Sequence, residues 1–429
     1  MNYLYLYAAV ILTIIVLYSR RHVKKVETNQ SALKESIQSG LAEPPSLHPI
    51  FDPVRCIGSG SCAKVCPEGA IGIVNGKGVL INAAHCIGHG ACLAACPFDA
   101  IKLVFGTEKR GIDIPHISAD FETNVPGIFI AGELGGMGLI RKAAEQGRQA
   151  IASVRKRQSA SAEFDVVIVG CGPAGLSAGL SALHHKLKYK LIEQEDSLGG
   201  AVYHYPRQKI AMTAPVVLDI IGSVNFGEVQ KEKLLEFWNG VVQKTGLEIA
   251  FRERMEAIEK TDDGFLVKTN KGGYLTRSVL LAMGRRGTPR KLGVPGEETA
   301  KVVYRLIDPE QYKGQHVLVV GGGDSALEAA IAIAEQPGSS VILSYRSAAF
   351  SRVKQKNRSL LEQAEKAGRI KVMLNSGVQE IRPQEVTLST EGLVETFANE
   401  AVIVCAGGLM PTPLLQKIGI QFETKFGTE

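Results

Sequence analysis

Two stretches of this chain spell one pattern, Cys56-Ile-Gly-Ser-Gly-Ser-Cys62-Ala-Lys-Val-Cys66-Pro67 and Cys86-Ile-Gly-His-Gly-Ala-Cys92-Leu-Ala-Ala-Cys96-Pro97. Six of the eight cysteines sit in these runs. A fold that contains them must bring two short loops together around something that binds thiolates. Structural zinc sites favour paired C-x2-C ligands, and no such pair occurs anywhere in the chain. A disulfide framework belongs to short secreted chains, not to one of 429 residues. Cys171 and Cys405, outside the runs, read as core thiols in a reducing cytosol.

Each run resembles the bacterial ferredoxin sequence C-x2-C-x2-C-x3-C-P, with Ser59 or His89 where the second cysteine belongs. In two-cluster ferredoxins the cysteine before proline crosses over to the other cluster. The resemblance therefore implies two ligand sets: Cys56, Cys62 and Cys96 with Ser59 nearby, and Cys86, Cys92 and Cys66 with His89 nearby. Three thiolates can hold a three-iron cluster (3Fe-4S), or a four-iron cluster (4Fe-4S) whose last iron takes serine oxygen, imidazole or an outside ligand. The residues leave these alternatives open, together with a ferredoxin-like fold that has lost its clusters.

The first residues carry a different signal. Tyr3 to Tyr18 is uncharged and is followed by Arg20, Arg21, Lys24 and Lys25. A helix from Asn2 to Ser19 is about 27 Å long at about 1.5 Å per residue, close to the roughly 30 Å of a bilayer's hydrocarbon core. There is no positive segment before it and no small-residue cleavage site after it, so a signal peptide is not expected. The basic flank predicts a single-pass anchor in the cell inner membrane, N-terminus outside and catalytic domains cytoplasmic; a buried core helix is the alternative. The chain is 45% hydrophobic and 21% charged, and its net charge of +6 is mostly interspersed, which does not indicate nucleic acid.

Nucleotide signals follow. Phe164-Asp-Val-Val-Ile-Val runs into Gly170-Cys-Gly172-Pro173-Ala174-Gly175, then a helical stretch, then a second strand ending at Glu193. The glycines allow a tight turn and close approach of a pyrophosphate to a helix N-terminus, and the acid can accept ribose hydroxyls. The arrangement repeats at His316-Val-Leu-Val-Val-Gly321-Gly-Gly323-Asp324-Ser325-Ala326. Its second strand ends in Arg346 rather than an acid. Arg346 and Arg352 suit the 2′-phosphate of NADPH, with NADH the alternative and a solvated basic face the plain reading.

Two such units resemble the thioredoxin reductase-like flavoproteins, in which the first holds FAD and the second NADPH. The resemblance spans roughly residues 106 to 429 and adds Leu198-Gly199-Gly200, Leu281-Ala-Met-Gly284-Arg-Arg-Gly-Thr-Pro289 and Val402-Ile-Val-Cys-Ala-Gly407-Gly-Leu-Met-Pro411. The family's closing segment does not follow the last of these. A segment similar to it stands upstream, as Thr123-Asn-Val-Pro126-Gly127-Ile-Phe-Ile-Ala131-Gly132-Glu133, with a helical stretch from Leu139 to Ser153. This implies a circular permutation, with residues near Glu429 close to residues near Lys109, and gives Gly132 and Glu133 a place beside the flavin. The C-x-x-C pair of thioredoxin reductases is absent, which excludes internal dithiol chemistry. Tyr345-Arg346 through Ser351-Arg352-Val-Lys354, with Tyr205-Pro206, looks closer to the bacillithiol disulfide reductase-like branch, whose loop cysteine corresponds to Ala174; Cys171 sits three residues earlier.

The expected fold class is α/β: two Rossmann-like three-layer domains, a small α+β ferredoxin-like domain and an N-terminal transmembrane helix. The expected divisions are an anchor (1–26), a linker (27–50), the cluster domain (51–104), the permuted closing segment (105–160), the FAD domain (161–295), the NADPH domain (296–400) and a return to the FAD domain (401–429). The expected function is NAD(P)H-dependent, FAD-mediated electron transfer through the clusters to a ferredoxin or a membrane electron carrier. A thiol or disulfide reductase and a non-catalytic redox sensor are the rivals, and a homodimer is expected from the resemblance.

Overall fold

The computed structural model describes the chain except residues 1, 39–41, 45–46, 87, 89, 109–110, 137, 158–161, 206, 208, 214, 286–287, 351–352, 354, 410 and 428–429. It divides into two compact units: residues 1–112 with 349–354 and 425–429, and residues 113–348 with 355–424.

In the first unit a helix runs over Asn2–Gln38. It does not stop at the basic flank but continues through twelve of the residues read as linker, 27–38, and its far end docks. Buried Asn29 donates to the carbonyl of Ile73 at 3.0 Å. Among the described residues no helix is long and apolar enough to cross a membrane, so the membrane span expected over Tyr3–Tyr18 is not found. Several side chains of that run (3, 4, 6, 8, 9 and 18) lie outside the described set.

Two antiparallel strand pairs follow in this unit, with the short helices Ser61–Lys64 and Ala91–Ala94 between their strands. His48–Phe51, which begins inside the expected linker, pairs antiparallel with Ile101–Val104, and Ile71–Val74 pairs antiparallel with Lys77–Leu80. The buried side chains between them form a small cluster of Cys62, Ile71, Cys92 and Ile101. Cysteines make up half of that core, so whatever binds them also holds the unit together.

The second unit contains both nucleotide folds. Apolar strands buried on both faces predict a parallel sheet, and the strands Tyr189–Ile192, Phe164–Val169 and the end of Gly272–Leu281 run parallel in that order. Ile128–Ile130, from the upstream segment, pairs parallel with Val279–Leu281 in the same sheet. The helix Ile140–Arg155 that follows packs on Pro173–His184. The second sheet runs Val302–Val303, Ala401–Val404, His316–Val320, Ser340–Ser344, Ile370–Met373, all parallel.

The end of the chain meets the start of the nucleotide-binding region. Phe422–Lys425 pairs with Ile112–Pro115, the amide of His116 donates to the carbonyl of Gln421 at 2.9 Å, and that of Gly427 to Phe105 at 2.8 Å. Glu429 and Lys109 lie outside the described residues, but their neighbours are joined as a permuted chain requires.

Candidate functional site

The thiols sort into two nests. Cys56, Cys62 and Cys96 line one cavity with Ser59 at its edge, and Cys66, Cys86 and Cys92 line the other. The thiols are thus grouped as the ferredoxin resemblance implies; His89 lies outside the described residues. Gly58 and Gly60, at φ 71° and 77°, hold the first loop in a left-handed bend, and a Cβ on Gly58 would fall 2.3 Å from the carbonyl of Gly76. Among the described residues no group of three or more His, Cys, Asp or Glu side chains is placed to hold a single metal ion. Three thiols to each cavity is the donor set of an iron–sulfur cluster rather than of a lone ion.

Burial sets the protonation of these thiols. It pushes Cys62 and Cys86 above the ordinary range and Cys92 up to about 11, with neighbouring thiols adding to the rise. A metal that binds here must displace protons, so binding strengthens with pH. Cys171, beside the first glycine, is pushed up by burial first and by the charge of Glu193 second. Cys405 is pushed up to about 12 by burial. Neither thiol outside the nests is a ready nucleophile at neutral pH.

The first glycine loop is closed by three segments. Gly170 has φ 100°, and a Cβ there would meet the carbonyl of Ala282 at 2.8 Å. Pro173 opens the helix, where its missing N–H costs nothing. A Cβ on Gly175 would sit 1.8 Å from the carbonyl oxygen of Gly170. The loop thus ends with its helix amides uncovered by side chains. Gly199 donates to the carbonyl of Cys171 at 2.9 Å, and Gly200 packs against Gly172.

Glu193 stands at the end of the second strand, 6% exposed. Burial raises its pKa, while the amides of Cys171 (2.7 Å) and Glu195 (3.0 Å) donate to its two oxygens and oppose that rise. Its carboxylate is therefore fixed in orientation, each oxygen keeping a lone pair for a ribose hydroxyl.

The upstream segment supplies the third side. Gly132, at φ 84°, donates to Gln146 Oε1 at 2.8 Å, and Ala174 packs beneath it. Glu133 Oε2 lies 3.8 Å from where a Cβ of Gly284 would stand, and Arg285 lies within its field. Met137 and residues 286–287 are outside the described set. Sequence reasoning missed Gln146 and Gly147. A Cβ on Gly147 would meet the carbonyl oxygen of Ala174 at 2.0 Å, and a glycine inside an amphipathic helix was the available sign of that close approach.

In the second loop Gly321 has φ 147°, and a Cβ there would come within 2.4 Å of the carbonyl of Cys405. A Cβ on Gly322 would overlap the Tyr345 ring at 2.2 Å, whereas Gly323 faces open space. Asp324 opens the next helix and accepts from Asn357 at 2.8 Å, Ser325 follows it, and Ala326 is fully buried where a third glycine is allowed to be alanine. Arg346 is exposed just past the Ser340–Ser344 strand. Arg352, Lys354 and Pro206 lie outside the described residues.

These observations agree with the comparisons. Residues 167–427 match the pyridine nucleotide-disulphide oxidoreductase family, and residues 48–97 match a 4Fe-4S dicluster domain. A ferredoxin–NADP reductase of Metallosphaera sedula is 36% identical over 180 residues, 40% of this chain and 51% of its own length. One of Pediococcus pentosaceus is 33% identical over 252 residues, 56% of this chain and 72% of its own length. The chain spans about half the length of the first of these relatives. A solved bacillithiol disulfide reductase of Bacillus cereus is 25% identical, with a TM-score of 0.52 over 60% of this chain and 81% of that one. The Staphylococcus aureus counterpart, 24% identical with the same TM-score over 60% and 80%, shares the fold.

Proposed function

Because this chain belongs to the pyridine nucleotide-disulphide oxidoreductase family, we propose that it is an NAD(P)H-dependent flavoprotein that exchanges electrons between NADPH, FAD and two iron–sulfur clusters, with a ferredoxin-type protein as its redox partner. Bound FAD supplies the exchange between two-electron and one-electron chemistry that NADPH and clusters require. The chain's own part is placement. Gly170, Gly172 and Gly175 open the helix terminus to a pyrophosphate, Glu193 orients a ribose, and Gly132 and Glu133 close over the site. Gly321, Gly323 and Asp324 shape the second cradle, with Arg346 for a 2′-phosphate.

The observation that carries this reading is the division of the cysteines: six lie in two three-thiol nests, and of the two left over Cys171 is buried and Cys405 half-buried, both with their pKa pushed up by burial. Anaerobic NADPH titration of the full chain is expected to bleach the flavin absorbance and then raise electron paramagnetic resonance signals from iron. NADPH oxidation stimulated by a low-molecular-weight disulfide, with the iron unchanged, would instead establish a thiol reductase in which the clusters are structural.

Ser59 lines the first nest, its hydroxyl 3.4 Å from that of Ser61, and completes the C-x2-C-x2-C spacing if replaced by cysteine. On this reading the iron facing Ser59 is easily lost. Mild oxidation is expected to give a three-iron signal that Ser59→Cys diminishes by about the share of one cluster in two. An unchanged signal would remove Ser59 from the site.

Membrane attachment belongs to the same proposal. Val10, Ile11, Leu12, Ile14, Ile15, Val16 and Leu17 are all exposed on the N-terminal helix, and the basic flank follows. Insertion of this run into the inner membrane, with the N-terminus outside and the catalytic residues cytoplasmic, would cover them. Full-length protein is expected in the membrane fraction after alkaline washing, and a chain lacking residues 1–26 in the supernatant; full-length protein in the supernatant would refute the attachment.

A further inference from the structure

The two nests offer the same thiols but different charges. In the Ile71–Leu80 hairpin Val74 lies opposite Lys77, which leaves Asn75-Gly76 as a two-residue turn with φ 50° and 71°. Asn-Gly favours this turn because both positions need positive φ. The turn delivers the next two residues to the first nest. Lys77 Nζ donates to the carbonyl of Cys56 at 2.6 Å, and the amide of Gly78 donates to Cys56 Sγ at 3.3 Å. The amide of Ala100 donates to Cys96 Sγ at 3.4 Å. The other walls of this nest include Phe51, Ile57, Ile73, Phe98 and Ile101. Asp52, nearby in the chain, is occupied by the amides of Val54 and Arg55, with the Arg55 guanidinium 3.8 Å away.

The second nest differs at the corresponding positions. Glu68 lines it, two residues after Cys66, where the first nest has Phe98 two residues after Cys96. The carbonyl of Leu47 faces Cys86 Sγ at 3.8 Å, but the amides of Gly88 and Leu93 donate toward Cys86 and Cys92 as that of Ala63 does toward Cys62, so the nests differ in side-chain charge and not in having amide donors. Lys64 and Asp99 are exposed, opposite in sign and outside either lining, so solvent and salt screen them.

Each electron that a cluster takes adds negative charge. Hydrogen bonds to its sulfurs and a nearby cation stabilise the reduced form; a nearby carboxylate opposes it. Resting on the cluster reading above, we propose that the cluster at Cys56, Cys62 and Cys96 has the higher reduction potential, raised by Lys77, and that Glu68 keeps the cluster at Cys66, Cys86 and Cys92 lower. The first electron delivered then settles on the first nest, and the second nest fills only afterwards. Lys77 and Glu68 are positioning residues in this scheme, since each acts through the field at a cluster.

The test is a stepwise reductive titration of the full-length protein, purified without oxygen, followed at one pH by electron paramagnetic resonance. Wild type is expected to reduce in two steps. Lys77→Met should shift only the upper step, to lower potential, while Lys77→Arg leaves it in place. Glu68→Gln should shift only the lower step, to higher potential. Iron and acid-labile sulfide are counted first in every variant, so that a lost cluster is not read as a shifted one. A single shared step, a Lys77→Met shift confined to the lower step, or a Glu68→Gln shift confined to the upper one would overturn the ordering while leaving the clusters themselves established. Absence of iron and sulfide from the wild type would overturn the cluster reading, and the ordering with it.

Discussion

Gly175→Ala is expected to empty the flavin site. The added methyl group would stand 1.8 Å from the carbonyl oxygen of Gly170 and 2.9 Å from its carbon. Both are backbone atoms, and Gly170 has little room to retreat: its amide is bonded to Ile192 at 2.8 Å, and a Cβ on it would already meet the backbone of Ala282 and Met283. The strand and the helix must therefore separate at the point where a pyrophosphate would sit. Overpacking costs about 1–3 kcal/mol where side chains can shift, and here nothing flexible is in the way, so the upper end of that range or more is expected. At about 1.4 kcal/mol per tenfold, FAD retention should fall by at least about tenfold. FAD per chain after gel filtration, together with the melting temperature, measures it. Gly240→Ala is the matched control: nothing lies within 4 Å of its added methyl, and in mid-helix it should stabilise by about 0.5–1 kcal/mol. Full FAD content in Gly175→Ala would mean that the close approach of Gly175 to Gly170 is not needed to hold the flavin, the loop accommodating a methyl as the second one does at Ala326.

Iron removal is expected to unfold residues 48–104 while the nucleotide-binding unit stays folded. The cluster-bearing region is small, and in the hydrophobic cluster between its strand pairs two of the four buried side chains are cysteines. Chains of this size commonly depend on metals or disulfides because their apolar burial is insufficient. Metal binding is then folding free energy. Without iron, burial pushes the thiols up, Cys92 to about 11, and the nests retain neutral groups around cavities that nothing fills. A chelator with a reductant under anaerobic conditions should abolish amide protection of the Ile71–Leu80 hairpin. Protection of the Phe164–Val169 strand and the FAD content should remain. A hairpin that stays protected after complete iron loss would show that the clusters are passengers on a self-sufficient fold.

Much of the site could be read from residue spacing because its chemistry is local. A glycine that must have positive φ, a proline at the first helical position and an acid at a strand end each act within a few residues of their place in the chain. The grouping of Cys56, Cys62 and Cys96 was legible through the resemblance to two-cluster ferredoxins, in which the cysteine before proline crosses to the other cluster. The course of residues 27–38 was not legible. Their polar composition suited a linker, but the helix runs on to Gln38, and Asn29 on it finds a partner in Ile73, 44 positions away. Gly147 carried a sign but not its partner, which is the backbone of Ala174 on another helix.

The order of amino acids by itself determined which groups are present to bind iron and phosphate, and that two nucleotide loops follow one cluster module. Only the tertiary structure decided that the N-terminal helix runs on past residue 26 and meets Ile73 through Asn29, that Glu193 is held by two amides, and that Lys77 lies at one nest and Glu68 at the other. The physical reason is range. Backbone conformation answers to neighbours in sequence, whereas sheet pairing, burial and the electric field at a cluster are sums over atoms that only folding brings together.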